Sequence, residues 1–460
     1  MADLSLAFLL GRIGAHTLPY RPDPSLRFTS ITNDSRTARP GGLFIAIAAE
    51  RDGHEYIADA RARGAAGVLA SRVVPLDGWL RAEERAGFAY VVVEDPIAAL
   101  QRVAAAHRET LDVGVIGVVG SVGKTTTKEV VAQVLRRRFN LLASWGNFNN
   151  EIGLPIVLLE LTDEHERAVL EMGAYKVGEI ARLCWIARPQ VGIVTTIGPT
   201  HLESFGSLDA TERAKGEIVD ALPETGLAVL NGDDERVRRM ALRASCPVVW
   251  YGIGQQNLVR AAAIETRGLE GIAFTLLYPG GSVRVESPLI GRHSVYPCLA
   301  AAAVAFADET PEGEVAAALA EPPTRLRLKP VPGRNGSTIL DDSYNAAPIS
   351  MAAALDVLAE YEYRRIAVLG DMLELGEAEQ EAHRTVGRRA AAVADVLYVV
   401  GPRARLIGEE AERAGMRQVH YADDALSVPY EPAPGDMVLV KGSRGMRLER
   451  LVQKLVEPST

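Results

Sequence analysis

The chain has 460 residues, more than one hydrophobic core usually organises, so its length predicts two or three domains. A hydrophobic fraction of 48% with 24% charged residues is typical of a soluble globular protein, and no apolar stretch is long enough to insert into a membrane. The net charge of −9 argues against a nucleic-acid partner, which usually requires bulk positive charge. Three widely spaced cysteines indicate neither a disulfide framework nor a zinc site, and they fit the reducing cytoplasm.

Two features of the sequence bear on where and how this chain works. The apolar run at residues 4–10 lacks a basic flank and a cleavage site, so it does not read as a signal peptide. Only seven of the 50 basic residues are lysines. Because arginine supplies nearly all of the positive surface, each lysine is more apt than usual to be present for its chemistry.

The first block, residues 1–110, mixes short strands with alanine-rich helices and predicts a smaller α/β domain. A turn rich in glycine and proline at residues 39–42 leads into a predicted strand at 43–47. The block therefore reads as a unit separate from the rest of the chain.

The second block, residues 111–322, opens with a buried-strand pattern at 113–120 followed by a helix from Lys124 to about Arg138. Further buried strands are predicted at 168–171, 191–194 and 227–230, with long helical stretches between them. Short strands alternating with helices predict a parallel, doubly wound sheet. Residues 274–286 read as a hairpin that turns at 279–281.

The third block, residues 323–460, begins after the break at Pro322 and Pro323 and repeats the α/β rhythm. Its predicted strands are 366–369, 396–400 and 438–440. The predicted fold class is therefore α/β in three domains: the smaller N-terminal domain, a central P-loop NTPase-like parallel sheet and a C-terminal Rossmann-like domain.

A phosphate-binding loop is predicted where the first strand of the second block meets its helix. Glycines allow main-chain N–H groups to close on phosphate oxygens, and the start of a helix adds positive charge. Lys124 is expected to reach the β- and γ-phosphates, and the Thr125 hydroxyl to bind Mg²⁺. The long form GxxxxGK[ST] is not satisfied, because Val118 occupies its first glycine position. The predicted ATP-binding residues here are Gly120, Ser121, Val122, Gly123, Lys124, Thr125 and Thr126.

Three further side chains are expected near this loop. Glu171 ends one predicted strand and His201 follows the next, so both are predicted at the edge where parallel sheets place their ligands. Lys215 follows in a helical stretch. A carboxylate, an imidazole and a hydroxyl near phosphates suit a divalent cation. The alternatives are a helix-capping carboxylate for Glu171, a turn residue for His201 and a solvated helix residue for Lys215.

Together with further segments, these residues make the sequence closely resemble the Mur ligases of peptidoglycan synthesis over nearly its whole length. The segments that carry the resemblance are NDSR at 33–36, DGH at 52–54, SWGNFNNEIG at 144–153, EMGA at 171–174, HLESFG at 201–206, AKGEI at 214–218, LDDSYNA at 340–346, LGDMLELG at 369–376 and VKGSRGM at 440–446.

The resemblance implies a shared reaction. A peptide carboxylate attacks the γ-phosphate of ATP to give an acyl-phosphate, and an incoming amine displaces phosphate through a tetrahedral intermediate. Both first reactants are anionic, so cations at their meeting point are the obvious device. The implied catalytic residues are Lys124, Glu171, His201 and Lys215. The implied cofactors are ATP and two Mg²⁺ ions, with metal ligands Thr125, Glu171, His201 and a carbamate formed on Lys215.

The resemblance also assigns residues to the rest of ATP and to the other substrates. Arg334, Asp342 and Asn345 are expected to contact the nucleotide, whereas Ser294 and Pro297 stand where the family usually has asparagines for the adenine. The first domain is expected to bind the UDP-sugar peptide, and the third the incoming dipeptide and part of ATP. The implied substrate-binding residues are Ser35, Arg36, Asp52, His54, Asn147, Asn150, Asp371, Ser443 and Arg444.

Among the family's activities, the resemblance points to addition of D-alanyl-D-alanine to UDP-N-acetylmuramoyl-tripeptide by a cytoplasmic monomer. The Asp-Asn-Pro-Arg type of motif that often selects diaminopimelate is missing from the sequence, and about 110 residues precede the phosphate loop, unlike in folylpolyglutamate synthetases. The alternatives are a Mur-type ligase that adds a single amino acid, and a P-loop ATPase that ligates nothing and acts as a regulatory or assembly partner.

Overall fold

The computed structural model describes residues 4–75, 78, 80–324 and 327–456. Its strands, in chain order, are β1 (Leu4–Ser5), β2 (His16–Thr17), β3 (Arg27–Phe28), β4 (Ser30–Thr32), β5 (Gly42–Ile45), β6 (Gly67–Ala70), β7 (Ala89–Val93), β8 (Gly114–Val119), β9 (Leu141–Ala143), β10 (Arg167–Glu171), β11 (Val191–Val194), β12 (Leu227–Asn231), β13 (Val248–Gly252), β14 (Val259–Thr266), β15 (Ile272–Tyr278), β16 (Gly281–Ser287), β17 (Lys329–Pro332), β18 (Thr338–Asp342), β19 (Arg365–Gly370), β20 (Val396–Val400), β21 (Val419–Ala422) and β22 (Met437–Lys441).

The α-helices are mostly short and alternate with the strands. They are α1 (Leu6–Leu10), α2 (Ile57–Ala62), α3 (Pro96–Glu109), α4 (Lys124–Leu135), α5 (Gly153–Leu158), α6 (Glu179–Ala187), α7 (Leu202–Phe205), α8 (Leu208–Asp220), α9 (Glu235–Met240), α10 (Val295–Ala307), α11 (Glu312–Leu319), α12 (Pro348–Ala359), α13 (Glu379–Val393), α14 (Arg405–Arg413) and α15 (Glu449–Leu455). Within the residues that are described, none of these helices is both long and apolar enough to cross a bilayer.

The chain divides into two compact units. The first unit comprises residues 1–117, 139–173 and 179–190, and the second comprises residues 118–138, 174–178 and 191–460. The predicted domain boundaries near residues 110 and 322 stay predictions, since this division does not test them.

The first unit contains a mostly parallel sheet in the order β2-β7-β6-β5-β4, in which only β2 runs antiparallel to its neighbour. The predicted strand at 43–47 is thereby found as β5. Buried side chains of this sheet, among them Phe44, Val68 and Tyr90, form a hydrophobic core. The same unit holds the parallel pair of strands β9 and β10. Helix α3 begins at Pro96 after Asp95, whose carboxylate accepts from two main-chain N–H groups of the first turn.

The second unit contains the strands β8-β11-β12-β13-β14-β15-β16, in that spatial order. Strands β11 to β14 are parallel; β11 and β12 are the strands predicted at 191–194 and 227–230, whereas β13 and β14 were not predicted. Strands β15 and β16 form the predicted antiparallel hairpin. Because parallel strands end at the same edge, the segments after β8 and β11 come together there.

A further sheet of the second unit has the order β17-β18-β22-β19-β20-β21 and is parallel except for β17. Two clusters of buried aliphatic side chains surround it, one that includes residues of α12 and α13 and another that includes residues of α15. This layered arrangement confirms the predicted α/β class with several largely parallel sheets. It also brings the carboxyl ends of β18, β19 and β22 to one edge.

Candidate active site

The loop after β8 turns sharply before α4 begins. Gly120 and Gly123 have φ angles of +144° and +87°. A side chain at Gly120 would place its Cβ 1.9 Å from Thr195 Oγ1, so only glycine fits there. Gly123 immediately precedes α4, and the positive end of the helix dipole therefore lies at the loop.

The segment that follows β11 holds this loop in place. The Ser121 main-chain N–H donates to the Thr196 carbonyl at 2.7 Å, and the Ser121 hydroxyl exchanges hydrogen bonds with the main chain of Gly198 at 3.0 Å. Thr195 Oγ1 donates to the Val122 carbonyl at 2.6 Å. The loop geometry is thus set by two neighbouring strands, and the prediction that their ends meet is confirmed.

Two cationic side chains lie at the loop. Lys124 Nζ donates to the carbonyl oxygens of Gly120 at 2.8 Å and Ser121 at 3.3 Å. Arg327 Nη2 donates to Thr125 Oγ1 at 3.2 Å. Both cations lie at the predicted phosphate-binding loop, and Arg327 was not among the residues predicted from the sequence.

The strand register explains why Arg327, rather than Arg334, lies at the loop. Strand β17 is antiparallel to β18, and Lys329 pairs with Asp341 near the carboxyl end of β18. Arg327 precedes this pair by two residues, whereas Arg334 is exposed in the connection before β18 begins. Arg334 therefore lies before the start of β18, whereas Asp342 lies at its end, and the structure does not bring the two residues together. The role of Arg334 in ATP binding stays a prediction.

The other two predicted nucleotide residues lie at the carboxyl end of β18. Lys441, which ends the adjacent strand β22 and is 1% exposed, donates from Nζ to Asp342 Oδ2 at 2.5 Å and to the Asn345 carbonyl at 2.9 Å. This buried lysine fixes the turn that carries both residues.

The predicted dipeptide residues follow β19 and β22. Asp371 is buried, which raises the pKa of its carboxyl group, and its Oδ1 accepts from the Ala404 N–H at 2.7 Å. The Ser443 N–H donates to the Asp371 carbonyl at 2.9 Å, so these two residues lie together. Arg444 is exposed, with its guanidinium carbon 4.9 Å from the ring centroid of Tyr344. The same ring lies 3.6 Å from the guanidinium carbon of Arg327.

His201 immediately precedes α7 in a left-handed conformation with φ of +54°. Its Nδ1 is hydrogen-bonded to the Glu374 carboxylate, and its ring meets Tyr175 edge-on at 4.5 Å between centroids. Burial lowers the pKa of His201 below 6.5 despite the opposing effect of Glu374. This shift favours the neutral imidazole, the form in which histidine binds metals.

Lys215 lies on α8 and is 2% exposed. Its Nζ donates to the Ala174 carbonyl at 3.2 Å and lies 5.4 Å from the ring centroid of Phe205. The alternative that Lys215 is a solvated helix residue is wrong, because α8 turns this side chain inward. The buried amine of Lys215 is compatible with the carbamate expected there, which stays a prediction.

Glu171 belongs to the first unit, where it ends β10 and is 7% exposed. Asn149 Nδ2 donates to Glu171 Oε1 at 2.9 Å. Of the two asparagines predicted from the sequence, Asn150 accepts through Oδ1 from the Gly153 N–H at the start of α5, and the Asn147 carbonyl accepts from the Asn149 N–H; their roles in substrate binding stay predictions. Asn149 is thus a contact that sequence reasoning missed, although it lies inside the segment that the resemblance highlighted.

Asp52 and His54 form a hydrogen-bonded cluster in the first unit, in which His54 is buried and Asp52 is partly exposed. Asp52 Oδ1 is 2.6 Å from His54 Nδ1, and Asp52 also pairs with Arg72. His54 Nε2 accepts from the Ser71 N–H at 3.0 Å. The cluster borders an open groove of about 240 Å³ lined by His54, Glu55, Ala58, Arg72 and Val74.

The remaining first-unit predictions lie after β4. Asp34 caps a short 3₁₀ turn that contains Ser35 and Arg36. The Ser35 side chain is buried, whereas the Arg36 side chain is 81% exposed and pairs with Asp34 at 2.7 Å. Both residues keep their expected role as predictions.

The implied metal donors differ in how well they fit a divalent cation. The Thr125 hydroxyl accepts a hydrogen bond from Arg327, so a cation at that oxygen would compete with the guanidinium. His201 carries its hydrogen bond at Nδ1, so the neutral ring has its lone pair on Nε2. No group of three His, Cys, Asp or Glu side chains forms a metal site among residues 4–75, 78, 80–324 and 327–456. The predicted donors do not require one, because a threonine hydroxyl and a lysine carbamate belong to the set.

Comparisons with known proteins bear on the same residues. Residues 118–305 match the family model of the Mur ligase middle domain, and residues 326–444 match the model described as Mur ligase, glutamate ligase domain. The UDP-N-acetylmuramoyl-tripeptide–D-alanyl-D-alanine ligase of Escherichia coli strain K12 is 36% identical over 446 residues, which cover 94% of each chain.

Solved structures of similar fold also cover nearly the whole chain. A crystal structure of MurF from Acinetobacter baumannii superposes with a TM-score of 0.84 at 30% identity, covering 99% of both chains. The structure of the MurF ligase from Thermotoga maritima in complex with ADP gives a TM-score of 0.78 at 27% identity, covering 92% of this chain and 96% of that one. Together with the phosphate loop and the side chains around it, these similarities establish that the chain belongs to the Mur ligase family.

Proposed function

We propose that this chain is an ATP-dependent ligase that joins D-alanyl-D-alanine to UDP-N-acetylmuramoyl-tripeptide, releasing ADP and phosphate. The observation that carries the proposal is the phosphate loop with two cations, Lys124 and Arg327, at its rim. The reaction must bring a substrate carboxylate to the γ-phosphate, and positive charge at this point offsets the repulsion between the two anions.

The chemistry proceeds in two steps. A carboxylate oxygen of the tripeptide attacks the γ-phosphorus, the bond to the bridging oxygen of ADP breaks, and an acyl-phosphate forms. The dipeptide amine then attacks the acyl carbon, and the tetrahedral intermediate collapses with loss of phosphate and of the amine proton. In this scheme Lys124 and Arg327 hold phosphate oxygens, and Gly120 to Gly123 enclose them with main-chain N–H groups.

The proposed Mg²⁺ ligands are Thr125, Glu171, His201 and a carbamate on Lys215. When bound, the ions supply positive charge that stabilises the transferring phosphoryl group. Among these residues His201 would contribute a ring whose Nδ1 is hydrogen-bonded to Glu374, and Lys215 would contribute a buried amine.

The proposed substrate contacts follow the residues on each unit. Asp342 and Asn345, fixed by Lys441, are proposed for the nucleotide, while Arg334 keeps a weaker claim because it lies at the far end of β18. Asp371, Ser443 and Arg444 are proposed for the dipeptide. On the first unit, Ser35, Arg36, Asp52, His54, Asn147 and Asn150 are proposed for the UDP-sugar peptide.

The test is phosphate release from ATP with UDP-N-acetylmuramoyl-tripeptide, comparing D-alanyl-D-alanine with single amino acids. We expect turnover only when ATP, the tripeptide and the dipeptide are all present, and loss of that turnover in Lys124→Ala. Turnover with one amino acid would favour a ligase that adds a single residue. Phosphate release that is independent of both peptide substrates would favour an ATPase that ligates nothing.

The carbamate on Lys215 has its own measurement. Enzyme equilibrated with ¹³C-bicarbonate should show a carbamate resonance that is lost in Lys215→Ala, and short carboxylates should partly restore the activity of that variant. An inactive variant that is not rescued, together with no carbamate signal in the wild type, would rule the modification out. The predicted cytoplasmic location and monomeric state belong to the same proposal.

A further inference from the structure

The segment Asp371–Glu374, which follows β19, is held firmly by its main chain. The Met372 N–H donates to His383 Nε2 at 3.1 Å, and the Leu373 N–H donates to Ser443 Oγ at 2.9 Å. His383 is fully buried and its Nδ1 is 2.7 Å from the Glu379 carbonyl. These bonds fix the main chain of the two residues before Glu374, whose own side chain is 45% exposed and is oriented by its contact with His201.

Glu374 reaches His201 from this fixed base. Its carboxylate is hydrogen-bonded to Nδ1 of the imidazole, and its main-chain carbonyl accepts from the Glu203 N–H at 3.3 Å. Glu374 itself has a φ angle of +63°, a conformation that is uncommon for a residue with a side chain. Gly376 also has a positive φ angle, +53°, and it lies beside the main chain of Glu203, where a Cβ would be in ordinary van der Waals contact at 3.5 Å from the nitrogen. The segment after β19 and the segment around His201 are therefore fitted to each other.

The chemistry of the pair specifies where the imidazole proton lies. An ionised carboxylate only accepts hydrogen bonds, so Nδ1 must be the donor. A neutral imidazole has one N–H, and the lone pair is then on Nε2. Partners of this kind fix the orientation and tautomer of metal-binding histidines, and their loss typically costs about 10- to 100-fold in metal affinity.

We propose that Glu374 is the positioning residue for His201, holding it in the Nδ1–H tautomer so that Nε2 can bind a divalent cation. The inference rests on the proposed function in one respect, the assignment of His201 as a metal ligand. It assigns a role to the second acidic residue of LGDMLELG, for which the sequence alone predicts none. It also links the residues proposed for the dipeptide to the proposed metal site, because Asp371 and Glu374 share one short segment.

The tautomer can be observed in the metal-free protein. With ¹⁵N-labelled histidine, long-range ¹H–¹⁵N correlation spectra distinguish the two ring nitrogens, and His201→Asn identifies the resonances of His201 among the eight histidines. We expect the Nδ1–H form in the wild type, loss of that preference in Glu374→Ala, and its retention in Glu374→Gln, whose amide oxygen still accepts. The control is Glu377→Ala, which removes an exposed carboxylate three residues away.

The second readout is the affinity for Mn²⁺, measured by electron paramagnetic resonance at a fixed saturating concentration of ADP. Glu374→Ala should weaken Mn²⁺ binding about 10- to 100-fold, whereas Glu377→Ala should not change it. An unchanged tautomer in Glu374→Ala, or Mn²⁺ affinity within twofold of the wild type, would overturn the inference. If His201→Asn itself left Mn²⁺ affinity intact, the metal assignment of the proposed function would fail instead, and the tautomer spectra would still judge the Glu374 contact.

Discussion

Each unit of the molecule contains a carboxylate that hydrogen-bonds Nδ1 of a histidine, and the two pairs differ in every other respect. In the first unit Asp52 and His54 are two residues apart, and His54 is 2% exposed. In the second unit Glu374 and His201 are 173 residues apart, and the His201 side chain is 24% exposed.

The difference lies in what the other ring nitrogen does. His54 Nε2 accepts from the main chain of Ser71, so the protein itself uses both nitrogens of that ring. His201 receives its carboxylate from a distant segment, and its side chain is partly exposed. The same pair of residue types therefore joins neighbouring residues to a strand end in one unit and links two distant segments in the other.

The largest effect should come from His201. His201→Ala is expected to lower kcat by about 10²–10³-fold, the usual cost of removing one group that stabilises developing charge, while the melting temperature stays near that of the wild type because the ring is partly exposed. Steady-state kinetics and a thermal melt measure the two quantities.

The matched variant is His54→Ala, for which the pattern should be reversed. Losing its hydrogen bonds to Asp52 and Ser71 should cost about 2–3 kcal/mol of unfolding free energy, with kcat close to the wild-type value. Equal losses of stability in the two variants would contradict the expectation that His54 stabilises the fold more than His201 does. A selective rise in KM for the UDP-sugar peptide in His54→Ala would support its predicted role as a substrate contact as well.

A smaller effect is expected for Arg327, whose contact with Thr125 is also made across a long stretch of sequence. Arg327→Met should raise KM for ATP about 10- to 100-fold, because a charge-assisted hydrogen bond is lost. Arg334→Met is the control, since Arg334 is exposed in the connection before β18. If the Arg334 variant is the one that loses ATP affinity, the assignment made from the sequence is right and the one made from the strand register is wrong.

The smallest effect concerns how Asp52, the partner of His54, makes the stability of the fold depend on pH. The Arg72 side chain, together with the N–H and ring of His54, holds the pKa of Asp52 well below its ordinary value of 3.8. Because the folded state binds this proton less tightly than the unfolded state, the contribution to stability is present above pH 4 and is lost as the pH falls further.

Asp52→Asn should therefore flatten the acid side of a plot of melting temperature against pH, below about pH 4. Glu377→Gln, which alters an exposed carboxylate of the second unit, is the control and should leave the slope unchanged. An unaltered slope in Asp52→Asn would mean that the pair contributes nothing to acid stability.

Local patterns in the sequence were sufficient for the α/β class, for most of the long buried strands and for the phosphate loop. The loop could be predicted because a buried strand, two glycines and a helix start are consecutive in the chain, and their geometry depends on main-chain conformation alone. Lys215 was selected from its segment, but only the structure shows that α8 buries it.

Three contacts could not be read from the sequence: Asn149 with Glu171, Arg327 with Thr125, and Glu374 with His201. The first required a choice among three asparagines in one loop, which differ only in where the loop points them. The second depended on the antiparallel register of β17 against β18, and the third on a fit between segments 173 residues apart. The sequence by itself determined which elements form and which chemical groups are available, because those follow from short-range periodicity and residue type. Only the tertiary structure decided which groups meet, because that depends on how sheets pair and pack over the whole unit.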